Sequence, residues 1–373
     1  MPAVEVTGQQ VLAFRLRRHL LDPRGRLDAV HVARRLCGVQ AQVASSAAQA
    51  VAARQEVPDR HAVRQALADR SLVKTWTVRG TLHLMPADEV AAYLAVVGAA
   101  RTWLKASWQK AFVSAADLDR VAVAVTDALV GRELTREELV EEVAARTGEP
   151  QLAAHVRSGW GAVLKPLAWQ GLLCHGPDRG GRVTFVRPAD VVPGWGGLPA
   201  PDDAARVVVP AYLGVHGPAG PVELDAWLTR GATPKRIVRG WFADLGEALA
   251  PVSVEGRALW ARAEDVDELR DSSPSAVVRL LPGFDQWVLG PGTADALILA
   301  PVRRAAVSRA GGWIAPVVAV GGRVVGTWEA GDSQLAVELF PESDGVDAGA
   351  LDAEVARVAG WLERDLRLTV AGS

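Results

Sequence analysis

The sequence predicts an α+β protein in which three tandem winged-helix units precede a β-rich domain. Groups of amphipathic helices recur three times along the 373 residues, and each group is followed by a short β-hairpin pattern. The C-terminal part instead alternates as strands around a two-glycine turn, Gly321–Gly322, in which both residues need positive φ. A chain of this length exceeds one ordinary core, so several domains are expected.

We expect four segments: 1–100, 101–200 and 201–270 as the three winged-helix units, and 271–373 as the β-rich domain. In the first, Thr7 is expected to cap a helix, and Ser45 or Ser46 to cap another. The helices are expected over 7–21, 27–39, 45–54 and 59–70, and the wing is a strand pair over 71–86 that bends at Gly80.

The second segment shows a helix-capping signal, because Glu138 follows Thr135 by three residues. Its helices are expected over 117–131, 135–148 and 157–176, with a hairpin over 172–188. The third segment repeats the pattern with helices within 208–229 and 233–246 and a wing over 249–261. In the last segment, strands are expected over 276–290 and 311–331, and a helix over 351–366 closes the chain.

Composition excludes several classes of protein. Apolar residues make up 49% and charged residues 23% of the chain, which is globular, and the net charge of −2 counts against a strongly basic nucleic-acid coat protein. The chain has 36 Arg but only 5 Lys, which fits DNA contacts but also fits GC-rich codon usage. The N-terminus lacks a signal pattern and no 18-residue apolar run occurs, so a cytoplasmic protein is expected.

Metal and thiol chemistry is not expected. The two cysteines, Cys37 and Cys174, and the seven histidines show no metal-ligand spacing, and no phosphate-binding glycine loop occurs. Cys37 lies in an apolar run, which favours a small core residue over a nucleophile. The sequence therefore predicts no metal and no cofactor.

Two glutamines, Gln40 and Gln42, lie in an otherwise small and apolar stretch between two predicted helices. They share a face only if the backbone is extended, because strand side chains repeat every two residues. An amide cannot act as a general acid or base, but it can orient a water molecule. The pair is therefore either a polar patch at a helix end or a device that positions water.

Four motifs in this order and spacing resemble the AlkZ/YcaQ-type winged-helix DNA glycosylases: "GVQAQ", "TWTVRGTLHLMP", "LLPGFD" and "VVAVGGRVVGTW". The resemblance extends from about residue 7 to residue 365. It implies a C-shaped arrangement with a concave basic face for DNA, and excision of N7-alkylated purines. In the AlkZ branch it implies release of interstrand crosslinks as self-resistance in antibiotic producers.

The same resemblance assigns the catalytic motif to Gln40 and Gln42. The YcaQ branch has an acidic residue at the second position, so Gln42 places this chain nearer to AlkZ. An N7-alkylguanine is cationic and leaves without a proton donor. The enzyme then has to orient a water molecule and stabilise the oxocarbenium charge, and amide side chains can do both. Two glutamines thus indicate a pre-activated leaving group.

Other residues have candidate roles. Arg323 follows the Gly321–Gly322 turn and could lie beside the tip of a hairpin that enters a DNA groove. Alternatively, the hairpin is an ordinary structural one and Arg323 is solvated. Asp285 could place a fixed charge near the site or cap a turn. His83 is expected to be a hydrogen-bonded wall residue, and Arg79 is a further candidate for support. Phosphate contacts are expected from Lys235, Arg236 and Arg239 at the start of a helix, where cations oppose the helix dipole.

Two functions follow from these patterns. The first is a monomeric glycosylase that acts on alkylated purines in double-stranded DNA, without membrane association. The alternative is a non-catalytic winged-helix regulator. A regulator would usually be a dimer with a long dimerisation element. No heptad segment and no excess positive charge occur, which favours the enzyme.

Overall fold

The computed structural model describes residues 3–158, 161–343 and 345–372. The first helices are α1 Gly8–Arg18, α2 Ala29–Arg35, α3 Ala44–Ala52, α4 Ala62–Ala68, α5 Val90–Gly98, α6 Ala106–Ala111, α7 Ala115–Ala128, α8 Arg136–Thr147 and α9 Pro150–Ala154. They are followed by α10 Leu164–Trp169, α11 Pro188–Val191, α12 Pro201–His216, α13 Pro221–Thr229, α14 Lys235–Leu245, α15 Val266–Arg270, α16 Gln286–Leu289, α17 Arg304–Val307 and α18 Ala348–Leu362.

The strands complete a mixed α and β architecture. They are β1 Val4–Val6, β2 Val39–Gln40, β3 Leu72–Trp76, β4 Leu82–Pro86, β5 Leu134–Thr135, β6 Cys174–His175, β7 Thr184–Val186, β8 Leu249–Val254, β9 Arg257–Arg262, β10 Val278–Leu281, β11 Val317–Val320, β12 Arg323–Ala330, β13 Gln334–Leu339 and β14 Arg367–Gly372. The predicted helix over 157–176 includes residues 159 and 160, which lie outside the described residues; α10 falls within its range.

Among the described residues the strands form three sheets. A six-stranded sheet, in the order β2-β4-β3-β6-β7-β5, crosses the expected boundary at residue 100, because Lys74 of β3 pairs with His175 of β6. The bent strand pair predicted over 71–86 is confirmed as β3 and β4, joined by a 3₁₀ turn Val78–Gly80. This sheet carries β2, and therefore Gln40, on its edge.

The second sheet brings the N-terminus to the third expected segment. Strand β1 pairs in parallel with β8, opposing Val4 to Val252, and β8 pairs with β9 as the predicted wing. Helix α1 packs on the same sheet through Val11 and Phe14. The division into four segments stays a prediction, and these pairings link its first and third parts.

The third sheet has the order β10-β11-β12-β13-β14 and lies in the C-terminal part. Gly321 and Gly322 join β11 to β12 with φ of 55° and 88°, which confirms the predicted turn. The strand expected over 276–290 is shorter than predicted, because the chain after β10 forms α16. The prediction that a helix closes the chain is wrong, since β14 follows α18 and pairs with β13.

Local signals set several helix starts as expected. Thr7 and Thr135 each form a capping box, with Gln10 and Glu138 as their partners. The expected serine cap of α3 is wrong. That helix begins one residue earlier than Ser45, and its N-cap, Val43, has no side-chain hydrogen bond.

Helix α12 is the central packing element. It contacts α1, α5, α14 and β9, so it joins the first expected segment to the third. Within the described helices, none combines the length and the hydropathy needed to span a bilayer.

Candidate active site

A sharp turn at Cys37 and Gly38 connects α2 to β2, the strand that ends at Gln40. Cys37 has φ of 57° and Gly38 has φ of 98°. A Cβ at Gly38 would lie 2.4 Å from the Met85 sulfur, so glycine is required there both for its backbone conformation and for space. The turn delivers the backbone to β2, on the edge of the six-stranded sheet.

Neither glutamine lies in a helix: the backbone is extended at Gln40, and Gln42 lies in a bend. Gln40 ends β2, and the Ala41 amide continues the ladder by donating to the Leu82 carbonyl at 2.7 Å. The pair therefore lies at the joint between α2 and α3, as predicted. Gln42 lies two residues after Gln40, in the bend that leads into α3.

The two amides differ in burial. Gln40 is 5% exposed, and its Oε1 has no hydrogen-bond partner among the described residues, whereas Gln42 is exposed. A buried amide oxygen without a partner is uncommon, and it retains full capacity to accept from a water molecule or a substrate group. The catalytic role of the pair stays a prediction.

A row of polar residues crosses the sheet beside Gln40. Gln40 opposes His83 of β4, and His83 opposes Thr75 of β3. Directly opposed residues share a face, so the three side chains lie on one side of the sheet. Because the neighbouring Ala41 and Leu82 form the hydrogen-bonded pair, Gln40 and His83 form the closer, non-hydrogen-bonded pair.

His83 is a neutral, fixed member of this row. It is 1% exposed, and its Nδ1 donates to the Thr81 carbonyl at 3.0 Å. Burial, with a smaller contribution from the charge of Arg79, outweighs the hydrogen bond to Thr81 and lowers the pKa of His83 to about 3. The expectation of a hydrogen-bonded wall residue is confirmed. Its other ring nitrogen, Nε2, is an acceptor.

Thr75 and Thr77 were not predicted as site residues. Both are fully buried, and neither hydroxyl oxygen has a partner among the described residues. The strand alternation in "KTWTVRG" contained the signal, because it places both threonines on the His83 face. Like the Gln40 amide oxygen, these hydroxyls are buried polar atoms without a partner in the described part of the chain.

Arg79 lies in the 3₁₀ turn between β3 and β4. Its φ is 57°, and its Nη1 donates to the Leu289 carbonyl at 3.0 Å. Burial lowers the pKa of Arg79 to about 10, and the nearby charge of Arg230 adds to the shift. The guanidinium thus remains a cation at neutral pH, near His83.

Asp285 does not support the glutamines as a free charge. Its carboxylate pairs with Arg54 through distances of 2.7 and 2.8 Å, and both side chains are fully buried. It also caps α16 by accepting from the Trp287 amide at 2.7 Å. The structure thus shows the expected cap, and a role of this buried charge at the site stays a prediction.

The Gly321–Gly322 turn is held to the rest of the protein by hydrogen bonds that involve both glycines. The Gly322 carbonyl accepts from the Trp287 indole at 3.0 Å, and a Cβ at Gly322 would lie 2.9 Å from that ring. The Gly321 amide donates to Val277 at 2.9 Å. The tip packs against Trp287 at Gly322, and its entry into a DNA groove stays a prediction. Arg323 itself is exposed, and its contact with DNA stays a prediction.

The three cations of α14 have the exposure that DNA contact needs. Lys235, Arg236 and Arg239 are all exposed, and none makes an ion pair among the described residues. The helix begins after Pro234 with no side-chain cap. Their contact with phosphate stays a prediction.

Neither cysteine is a nucleophile. Both are buried, and burial raises the pKa of Cys37 and of Cys174 to about 12, so both stay as thiols. In the part of the chain that the structure describes, no group of three or more His, Cys, Asp or Glu is placed to hold a metal ion.

This chain is similar to known proteins over almost its whole length. A family model described as DNA glycosylase AlkZ-like matches residues 33–361. An interstrand DNA cross-link repair glycosylase of Streptomyces sahachiroi is 47% identical over 358 residues, which is 95% of this chain and 96% of that protein. The solved structure of Streptomyces sahachiroi DNA glycosylase AlkZ superposes with a TM-score of 0.94 at 45% identity, covering 99% of this chain and 100% of that one.

Proposed function

Because the chain belongs to the AlkZ-like family of DNA glycosylases, we propose that it hydrolyses the N-glycosidic bond of N7-alkylated purines in duplex DNA. The substrates include bulky adducts and interstrand crosslinks, and the enzyme protects a cell from a DNA-alkylating natural product. It acts as a monomer with water as the nucleophile. Its helix groups and wings form three winged-helix units in a C-shape around the DNA.

The observation that carries this proposal is the glutamine pair. Gln40 ends β2, Gln42 follows two residues later, and the Gln40 amide oxygen is buried without a partner among the described residues. The acceptor oxygens of two amides can hold one water molecule and partly neutralise a developing cation. No proton needs to be donated, because the N7-alkylated base departs as a neutral molecule.

The neighbouring residues support the same class of leaving group. His83, opposite Gln40, is neutral, and Asp285 is paired with Arg54. A neutral histidine and a carboxylate paired with an arginine are both poor proton donors. A normal guanine or a uracil leaves poorly without such help, so the amide pair suits a base that alkylation has already made cationic.

The test is base release by glutamine variants under single-turnover conditions. Replacing Gln40 or Gln42 by Ala should leave DNA affinity nearly intact and slow N7-methylguanine release by about a hundredfold or more, since a misplaced water forfeits fixed geometry. Gln334→Ala is the matched control, because Gln334 is exposed at the start of β13, in another sheet.

The possible outcomes distinguish a misplaced active site, a protein without catalysis and a disturbed fold. Release by the double alanine variant at the wild-type rate would move the active site elsewhere. Tight binding to DNA without any release by the wild type would favour a regulator. A slow Gln334→Ala variant would mean that loss of an amide anywhere perturbs the fold.

A further inference from the structure

Three cations without acidic partners meet beside the candidate active site. Arg79 lies in the turn between β3 and β4, Lys165 in α10, and Arg230 directly after α13. Within the described residues none of the three makes an ion pair, and the one side-chain hydrogen bond is that of Arg79 to Leu289. Many other arginines of the chain are paired, for example Arg18 with Asp265.

The packing brings these residues together from distant parts of the sequence. Helix α13 packs against the 3₁₀ turn that carries Arg79. A Cβ at Gly80 would lie 3.8 Å from Cδ of Lys165, so the lysine stem passes next to the same turn. Lys105 reinforces the junction, because its Nζ donates to the Ala232 carbonyl at 3.1 Å, just after Arg230.

This arrangement is costly for the folded chain. The pKa of Lys165 is lowered by burial and by the charge of Arg230, as is that of Arg79. Arg79 and Arg230 also adopt φ of 57° and 61°, a region that favours glycine. Such strain is typical of functional sites. A purely structural role would need only the bond from Arg79 to Leu289, and not two further cations.

The cations lie next to the polar row that contains Gln40. The charge of Arg79 acts on His83, and His83 is the direct cross-strand neighbour of Gln40. An anion bound by the three cations would therefore lie close to the amide pair. In a DNA duplex the anion available at that distance from a base is a backbone phosphate.

We propose that Arg79, Lys165 and Arg230 bind one backbone phosphate of the strand that carries the lesion, and thereby hold the lesion nucleotide beside Gln40. The inference rests on the proposed function, because it places the DNA relative to the glutamine pair. Arginine and lysine side chains donate charge-assisted hydrogen bonds to phosphate oxygens. The bound phosphate would also offset the mutual repulsion of the three cations.

The test combines protein variants with neutral phosphates. Arg230→Gln and Lys165→Met remove one charge each, and Arg367→Gln is the control, because Arg367 is exposed and unpaired on the edge strand β14. Arg79 is left unchanged, since its bond to Leu289 could be needed for folding. Affinity is measured by fluorescence anisotropy on duplexes with N7-methylguanine and a single methylphosphonate at each position flanking the lesion.

We expect Arg230→Gln and Lys165→Met each to weaken binding about tenfold, and to reduce the slope of log K against log salt by about one. A methylphosphonate at one flanking position should weaken the wild type by a similar factor, and should weaken either variant less than about twofold further. Arg367→Gln should match the wild type at every position.

Three results would overturn the inference. The two variants could bind like the wild type, or every methylphosphonate could weaken the variants as much as it weakens the wild type. The Arg367→Gln control could also lose as much affinity as the variants, which would mean unspecific attraction. Base release by the wild type on unmodified phosphates is measured alongside. Its absence would refute the proposed function without deciding the phosphate contact, which the affinities decide.

Discussion

We predict that the folded state loses stability as the pH falls from 7.5 to 5.5, because several histidines are buried in their neutral form. Burial lowers the pKa of His83, His175 and His216 to about 3 each. His19, also fully buried, has a pKa well below its usual value for the same reason. In the unfolded chain these groups titrate near about 6.5. Below that pH the unfolded chain binds protons that the folded chain cannot, so acid favours unfolding.

The size of the effect follows from proton linkage. Above about pH 6.5 these histidines are neutral in both the folded and the unfolded chain, so they do not lower the free energy of unfolding. Below it, each histidine costs about 1.4 kcal/mol per pH unit until the folded pKa is reached. At pH 5.5 each residue therefore costs about 1.4 kcal/mol, and His83, His175 and His216 together cost about 4 kcal/mol relative to pH 7.5. His19 adds to the loss in the same direction.

The assay is urea unfolding followed by circular dichroism at both pH values, with His175→Phe as the comparison. His175 is suited to this change because its ring lies 4.8 Å from Trp76 and 5.1 Å from Phe185, between ring centroids. Its Nε2 is buried without a partner. Phenylalanine should keep the packing and reduce the pH-dependent loss by about 1.4 kcal/mol. An equal loss in both proteins, or a wild type as stable at pH 5.5 as at pH 7.5, would refute the reasoning.

Further predictions address the buried ion pair, the hairpin, the glutamines and the third helix group. Asp285→Asn should lower the free energy of unfolding by about 3–5 kcal/mol, because Arg54 loses its counter-ion, while the folded fraction keeps its base-release rate. Gly322→Ala should be destabilising by about 1–3 kcal/mol in urea unfolding, whereas Arg323→Ala should not be. Gln42→Glu should keep base release, because Gln42 is exposed and a carboxylate there stays solvated. Gln40→Glu should lower the melting temperature, because Gln40 is buried and the substitution buries a carboxylate. Lys235→Ala with Arg236→Ala should weaken DNA binding equally across sequences and flatten its salt dependence; unchanged salt titrations would contradict this.

Local features of this protein could be predicted from the sequence because they depend on neighbouring residues. The capping boxes at Thr7 and Thr135 need only the residue three positions on. The Gly321–Gly322 turn needs only two residues that tolerate positive φ. The position of the glutamine pair between two helices followed from the helix pattern on either side of it.

Long-range features could not be predicted in this way. The burial of the hairpin tip depends on Trp287, and the role of Asp285 depends on Arg54, 231 residues away. Pairing of Val4 with Val252 carries no local signal either. At the candidate site, the residue types were readable, but the opposition of Gln40 to His83 is set by strand register, which a sequence pattern alone does not specify.

Base release from defined lesions by the wild-type protein is the most direct measurement of the proposed activity. The substrates are duplexes with N7-methylguanine, a bulky N7 adduct or an N7–N7 interstrand crosslink, and a uracil duplex serves as the control. We predict release from all three N7 lesions at rates far above spontaneous depurination, and none from uracil, because the amide pair at Gln40 and Gln42 can assist only a base that is already cationic. Rates on the N7 lesions no faster than spontaneous depurination would contradict the proposed function.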